Sequence, residues 1–402
     1  MLSPYDELPI HQTSRTFAQL PSTDFSWDDG CYFGVFNPQE KLFLACGYRV
    51  NANTDMIGGF AILNVGGTQR TVRFSRCWRR DMTTRIGPFQ VELVEPLRRL
   101  RLALADNASG IAFDIDWVGV SPAVLEDHHD AQNRMRKTTD QSRYCQPGAP
   151  SGFIELGERR WAVEPGAWHA ARDHSWGLYA ERRPLSPDPK WLPPKSPKGP
   201  QRALRFWIIF RSEPFSGFYH LHEDSDGARR QFDDVFGTPL GGAITRGWAG
   251  ESHEIVDATH KAEYHPGTKV LKRVTMRLTD AAGGIWTQEF ETAGPPWMGQ
   301  TSGYYPGGWS DGGNVHTYHG SEELVIEWDE FDFSNQPLIH NGYKTDEGHF
   351  DGFGRGEIKG KPVQGNVYLC SVHTTAPDGS VSTGAAHVEH YFNGPYRPYG
   401  IE

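Results

Sequence analysis

The sequence predicts an all-β protein, on three observations. Aromatic residues make up 12% of the 402, with 13 Trp and 22 Phe, and aromatic and β-branched side chains suit a pleated, half-buried surface. Gly 45 and Pro 28 imply many turns, and long helical periods are scarce. At this length the chain can build two domains, each with its own core.

The strands follow in order. Residues 1–30 read as an irregular lead-in ending at Trp27-Asp-Asp-Gly30, followed by strands Cys31–Asn37, Leu42–Val50, Ile57–Val65 and Thr71–Trp78. Phe89–Ala105 is one strand bent near Pro96 or two strands, and Ile111–Val120 comes after the turn Asp106-Asn-Ala-Ser-Gly110. Strands of this length joined in sequence read as a meander able to close into a barrel. At about eight strands such a barrel keeps a ligand-sized interior. Glu126–Pro150 is polar and charged and reads as a lid or binding loop, with Ala131–Lys137 able to form a helical turn or two. Strands resume at Gly152–Val163 and Trp168–Tyr179. Pro184–Pro200, with seven prolines, reads as a surface insertion between neighbouring strands. Leu204–Ser212 and Phe215–His222 are expected to complete the first domain, 31–246. A second β domain, 247–402, carries Glu251–Tyr264, Lys269–Thr279, Gly284–Glu291, Leu324–Phe333, Asn366–Thr375 and Gly384–Phe392.

Charge and cysteines exclude several classes. A net charge of −10 argues against a nucleic-acid partner. Five scattered cysteines with no Cys-x-x-Cys pair indicate neither a disulfide framework nor a zinc knuckle. The N-terminus has no signal-peptide pattern and no long apolar run spans a membrane, so a cytoplasmic protein is expected.

Chemistry concentrates in Gly166-Ala-Trp-His-Ala-Ala-Arg-Asp-His-Ser-Trp-Gly-Leu-Tyr179. On a β-strand Arg172, His174 and Trp176 share one face, and Asp173 and Ser175 the other. An imidazole beside a large aromatic on a rigid strand suits proton work on an apolar substrate. Asp114 and Asp116 share a face opposite Phe113, Ile115 and Trp117, and either line the barrel or face water. Tyr48, Trp117, Trp207 and Tyr219 are aromatic candidates for an apolar cavity. Asp127-His-His-Asp130, His220-Leu-His222 and His316-x-x-His319 complete no ligand set of known spacing, so no metal is expected. No phosphate-binding glycine loop and no Gly-x-Ser-x-Gly elbow is present, so no cofactor is expected either.

Arg172-Asp-His-Ser-Trp-Gly177, preceded by Arg143-Tyr-Cys-Gln-Pro-Gly148 and Ser151-Gly-Phe-Ile-Glu-Leu-Gly157, resembles the tandem-lipocalin superfamily of carotenoid 1,2-hydratases, AttH-like proteins and lipocalin-like Diels–Alderases. Phe113-Asp-Ile-Asp-Trp117 fits the same pattern, and the nearest branch is a bacterial one carrying the Arg-Asp-His-Ser-Trp-Gly motif. The resemblance implies two lipocalin-like antiparallel β-barrels in tandem with few short helices. It implies His174 and Trp176 as a functional pair, which the hydratases combine with a Tyr-x-Asp on the next strand. Here that strand reads Phe206-Trp-Ile-Ile-Phe210, without tyrosine or carboxylate.

The function expected is cofactor-independent acid–base chemistry, by a hydratase, dehydratase or isomerase, on a hydrophobic isoprenoid, polyketide or aromatic molecule. His174 and Asp173 are the catalytic candidates. Arg172, Trp176, Trp207, Trp117, Tyr48 and Tyr219 are those for substrate binding. Activity should follow imidazole titration near ~6.5. The alternatives are a cyclase of the Diels–Alderase kind and a non-catalytic carrier. Partners are limited to the small molecule and a second copy in a homodimer, without nucleic acid or membrane insertion. A carboxylate or tyrosine within reach of His174 favours chemistry; an environment of aromatics alone favours cyclase or carrier.

Overall fold

Two antiparallel sheets, packed back to back, form the protein in this computed structural model. It describes residues 4–7, 9, 13–133, 135–179, 201–232, 238–294, 296–298, 302–332, 348–350, 355–358 and 361–402. The insertion expected at Pro184–Pro200 lies outside them. Among the described residues the helical segments named as elements are short 3-10 turns, Pro4–Glu7 and Arg397–Tyr399, and no helix is long and apolar enough to cross a membrane.

The first sheet contains β1 (Trp27–Asn37), β2 (Leu42–Asn51), β3 (Met56–Val65), β4 (Thr68–Cys77), β5 (Phe89–Glu95), β6 (Arg99–Leu104), β7 (Ile111–Gly119), β8 (Val124–Asn133), β9 (Arg136–Leu156), β10 (Arg159–Val163) and β11 (His169–Tyr179). Its path runs β4-β3-β2-β1-β11-β9-β7-β6-β5, with β8 and β10 also on β9. The sheet curls until its far strands meet through side chains. Phe74 of β4 stacks on Phe89 of β5 at 5.8 Å between ring centroids, and Arg70 Nη1 donates to the Ser109 carbonyl at 2.7 Å. The concave face carries one core, with Phe33, Val35, Leu44, Phe74, Leu102 and Trp117 among its members.

The second sheet is a closed barrel. It contains β12 (Leu204–Ser212), β13 (Phe215–Glu223), β14 (Leu240–Thr245), β15 (Ser252–Tyr264), β16 (Leu271–Asp280) and β17 (Ile285–Thr292). After the two-residue β18 (Trp297–Met298), the chain gives β19 (Val325–Asp332), β20 (Gly348–Phe350), β21 (Arg355–Ile358), β22 (Lys361–Thr375) and β23 (Val381–Phe392). Pairing of β17 with β22, β22 with β23 and β23 with β12 closes eight strands around a separate core.

Outside the β8–β9 stretch most expected strands are present, but their sheet membership differs from the sequence reading. The change of sheet falls between Tyr179 and Leu204, so β12 and β13 belong to the barrel and not to the first sheet. The expected division at Gly247 falls inside the barrel, between β14 and β15, which pair. Every residue of β12 and β13 is buried: Phe206, Ile208, Tyr219 and Leu221 face the barrel core, while Trp207, Ile209 and Phe218 meet Phe36, Phe43 and Ile62 of the first sheet. A strand apolar on both faces is buried on both, and its periodicity names no partner.

Conversely β19, expected in the second domain, adds to the free edge of β4. Opposite charges fix it there: Arg70 pairs with Glu330, and Arg73 with Asp329 at 2.6 Å. Among its described residues Glu126–Pro150 is neither the expected loop nor helix. Most of it is the β8–β9 hairpin, whose polar residues pair across strands, Lys137 with Asp130 at 2.8 Å and His128 with Asp140 at 3.1 Å.

Candidate active site

β11 sits between β1 and β9, and its alternation decides the site. Ala170 belongs to the concave core, so Arg172, His174 and Trp176 face the same way. Register sets Cys31 of β1 and Tyr144 of β9 directly opposite His174. Asp29 lies opposite Trp176, on the same face as Cys31.

His174 is engaged at both ring nitrogens. Nε2 lies 2.7 Å from Asp29 Oδ1, and Nδ1 lies 3.1 Å from the Tyr144 hydroxyl. Trp176, 37% exposed, stands edge-on to the imidazole at 5.4 Å and near Tyr144 at 6.2 Å. Burial works against an imidazolium here, but Cys31 and the Asp29 hydrogen bond outweigh it, and the pKa of His174 is raised well above the ordinary histidine value. That corrects the expected titration near ~6.5. Each ring nitrogen faces one oxygen partner.

The floor beneath is buried and closely packed. Arg172 is buried and donates through Nε and Nη2 to Gln146 Oε1 at 2.9 and 2.7 Å. Its guanidinium lies 4.8 Å from the Trp117 ring and 5.2 Å from Tyr144. Trp117 is fully buried, and a side chain at Gly148 would strike its indole at 2.5 Å. Tyr48 flanks the same face, its hydroxyl 3.9 Å from Cys31 Sγ.

Five residues singled out from the sequence lie elsewhere. Asp173 points to the opposite face, toward the junction of the two sheets. Burial there raises its pKa against the pull of Arg143 and Arg49, and its Oδ1 has no hydrogen-bond partner. Trp207 lies in that junction and donates Nε1–H to Glu126 Oε2 at 3.2 Å. Burial opposes the charge of Glu126, but Arg143, His220 and His129 bring its pKa down to about 2. Tyr219 lies inside the barrel, where its hydroxyl donates to Gln288 Oε1 at 2.9 Å. Asp114 and Asp116 face outward, held by Arg101 at 2.6 Å and Arg99 at 2.7 Å. Among the described residues no three His, Cys, Asp or Glu side chains gather as a metal-holding group.

Sequence reasoning missed Tyr144 and Asp29. Tyr144 stands in the Arg143–Gly148 stretch quoted above, but nothing local shows that β9 runs beside β11. Asp29 was assigned to an irregular lead-in, whereas β1 begins at Trp27 and carries it in register. Two acids opening a strongly apolar strand were the available signal. A cleft of about 1200 Å³ between the two sheets, bordered by His169, Arg211, Lys261, Glu263 and Glu289, does not include His174. Its charged walls suit water better than an apolar substrate.

Among solved structures, the chain is similar to kievitone hydratase from Nectria haematococca at 8% identity and a TM-score of 0.41, covering 98% of this chain and 96% of that one. It is also similar to CghA with Sch210972 (7%, 0.43, 91% and 88%) and to CghA alone (8%, 0.43, 91% and 88%). Likeness this loose assigns no residue and no reaction. No curated protein matches the chain. Residues 2–342 match the family of unknown function DUF8625, and the chain belongs to that family.

Proposed function

We propose that the protein is an enzyme of the hydratase, dehydratase or isomerase kind, working without a cofactor on a hydrophobic small molecule. His174 is the proton carrier in this reading. The observation that carries it is the pair of oxygen partners on one imidazole: the Asp29 carboxylate at 2.7 Å and the Tyr144 phenol at 3.1 Å. A phenol from β9 and a carboxylate from β1 beside His174, where the strand after the motif has neither, support this reading.

Cys31 and the Asp29 carboxylate together favour the charged ring against burial, and Asp29 also orients it, which supports the acid form as the resting state. The imidazolium gives its Nδ1 proton to Tyr144 as the phenol passes its own proton to substrate carbon, and the two transfers together leave neutral histidine. The Trp176 face flanks the positive charge that develops on carbon. Water adds to that carbon as His174 recovers the proton, or a neighbouring C–H bond gives one up. The first outcome is hydration, the second isomerisation. Five free cysteines fit the expected reducing, cytoplasmic setting.

Reaction in deuterium oxide tests this. Isoprenoid, polyketide and aromatic alkenes are incubated with the protein, and products and recovered substrates are weighed by mass spectrometry. Deuterium on carbon with wild type and none with His174→Ala is expected. Label that persists in the folded variant would remove His174 from the reaction. A cyclised product formed without solvent deuterium would replace this reading with the cyclase.

A further inference from the structure

The barrel holds a second carboxylate–imidazole–phenol cluster. Glu223 follows Tyr219 and Leu221 in alternation on β13, and His260 follows Ala258 on β15, so both point into the barrel. His260 Nε2 lies 3.2 Å from Glu223 Oε2, and His260 Nδ1 lies 2.6 Å from the Tyr399 hydroxyl. The Tyr396 hydroxyl donates to the same Glu223 oxygen. Rings wall the space: Phe206 lies 5.4 Å from His260, Tyr264 lies 5.9 Å from Tyr399, and Phe392 lies 5.7 Å from Tyr396.

Neither phenol belongs to the barrel. Both come from residues 393–402, beyond the last strand. Few backbone bonds anchor this segment to the rest of the chain: Asn393 N–H to the Ala203 carbonyl at 2.8 Å and Arg397 N–H to the Ser225 carbonyl at 2.9 Å. Outside, Arg397 pairs with Asp226. Burial pushes both hydroxyls up, Tyr399 to about 12, so both stand as neutral donors at physiological pH. A carboxylate and an imidazole inside a barrel end carry a desolvation cost that an apolar plug would avoid. They do match two phenols stacked among rings.

We propose that this end of the barrel is a binding site for a phenolic small molecule, occupied in cis by Tyr396 and Tyr399 of the C-terminal segment. A ligand phenol takes the place of a tail phenol on Glu223 or His260, and its ring lies between Phe206, Tyr264 and Phe392. The tethered tail competes at high effective concentration, so the intact protein binds a free phenol weakly. The site stands independently of any chemistry at His174.

The test is calorimetric titration of full-length Tyr396→Ala/Tyr399→Ala with p-cresol, and with toluene as the ring without a hydroxyl. Binding of p-cresol about tenfold tighter than to wild type is expected, because the competing tail rings are gone. Toluene should gain much less, and adding Glu223→Gln should reverse the p-cresol gain. A folded double variant with wild-type affinity for p-cresol, or with an equal gain for toluene, overturns the proposal. Truncating buried Tyr396 risks the fold. Should circular dichroism show an unfolded double variant, Asp226→Lys decides. It lies on the surface, repels Arg397 and loosens the tail from outside. About threefold tighter p-cresol binding than wild type supports the site; unchanged affinity overturns it.

Discussion

In the curled sheet, a histidine holds a carboxylate and a phenol that all come from neighbouring strands, and a half-exposed tryptophan stands over them. In the closed barrel, a histidine holds the same two groups, but its phenols arrive on the tail. One cluster is built into its sheet and left accessible; the other is completed only by a segment that closes it. Nearly the same three side-chain chemistries therefore stand in different settings. What separates them is the origin of the phenol, which decides whether a substrate can approach the imidazole.

The sharpest way to break this comparison is to remove the accessible imidazole. His174→Ala should lower turnover by about 10²–10⁴ while circular dichroism stays that of wild type and the melting temperature approaches wild type at alkaline pH, where the ring carries no charge to lose. A folded variant with full turnover would leave the first cluster as structural as the second.

Two tryptophans on the same concave face test how open the first cluster is. Trp117 is fully buried under Arg172, so Trp117→Ala should cost about 3–5 kcal/mol. Trp176 is 37% exposed, and Trp176→Ala should cost only about 1–2 kcal/mol, mainly its ring contacts and partial burial. Chemical denaturation of both variants checks the ranking, and equal losses would mean that the rim closes over Trp176 in solution.

Periodicity made much of this legible. It placed β2, β12 and β13 almost to the residue and put Arg172, His174 and Trp176 on one face, because alternation is a property of the strand itself. It could not say which strands are neighbours. Tyr144 reaches His174 only through the β9–β11 ladder, Asp29 only through β1–β11, and neither pairing leaves a local trace. The β8–β9 hairpin was hidden for the opposite reason. Its strands are charged, with cross-strand ion pairs in place of an apolar face, so it reads as loop.

A smaller effect tests the sealed side of the comparison. Tyr219 lies in the barrel core with its hydroxyl on Gln288. Tyr219→Phe should leave turnover unchanged and lower stability by about 1 kcal/mol, the net worth of one hydrogen bond. A fall in turnover with stability intact would bring the barrel interior into the reaction.

The smallest and most specific effect is a pH dependence of stability. Folding raises the pKa of His174: burial opposes the imidazolium, but Cys31 and the Asp29 hydrogen bond outweigh it. The folded state therefore holds its proton more tightly than the unfolded chain, where histidine titrates near ~6.5. The resulting stabilisation is complete below the unfolded value and is lost as pH rises through the higher folded value. Melting temperatures of wild type and His174→Gln, compared across this range, should differ most on the acid side and converge on the alkaline side. Asp29→Asn removes the carboxylate while keeping a hydrogen-bonding group, so the convergence should begin at lower pH. Activity should show the same displacement, its alkaline limb moving down with Asp29→Asn, because in the proposed mechanism the acid form of His174 donates the proton. A difference that stays flat with pH would mean that His174 is neutral beside Asp29. The first cluster would then share only geometry with an acid–base site.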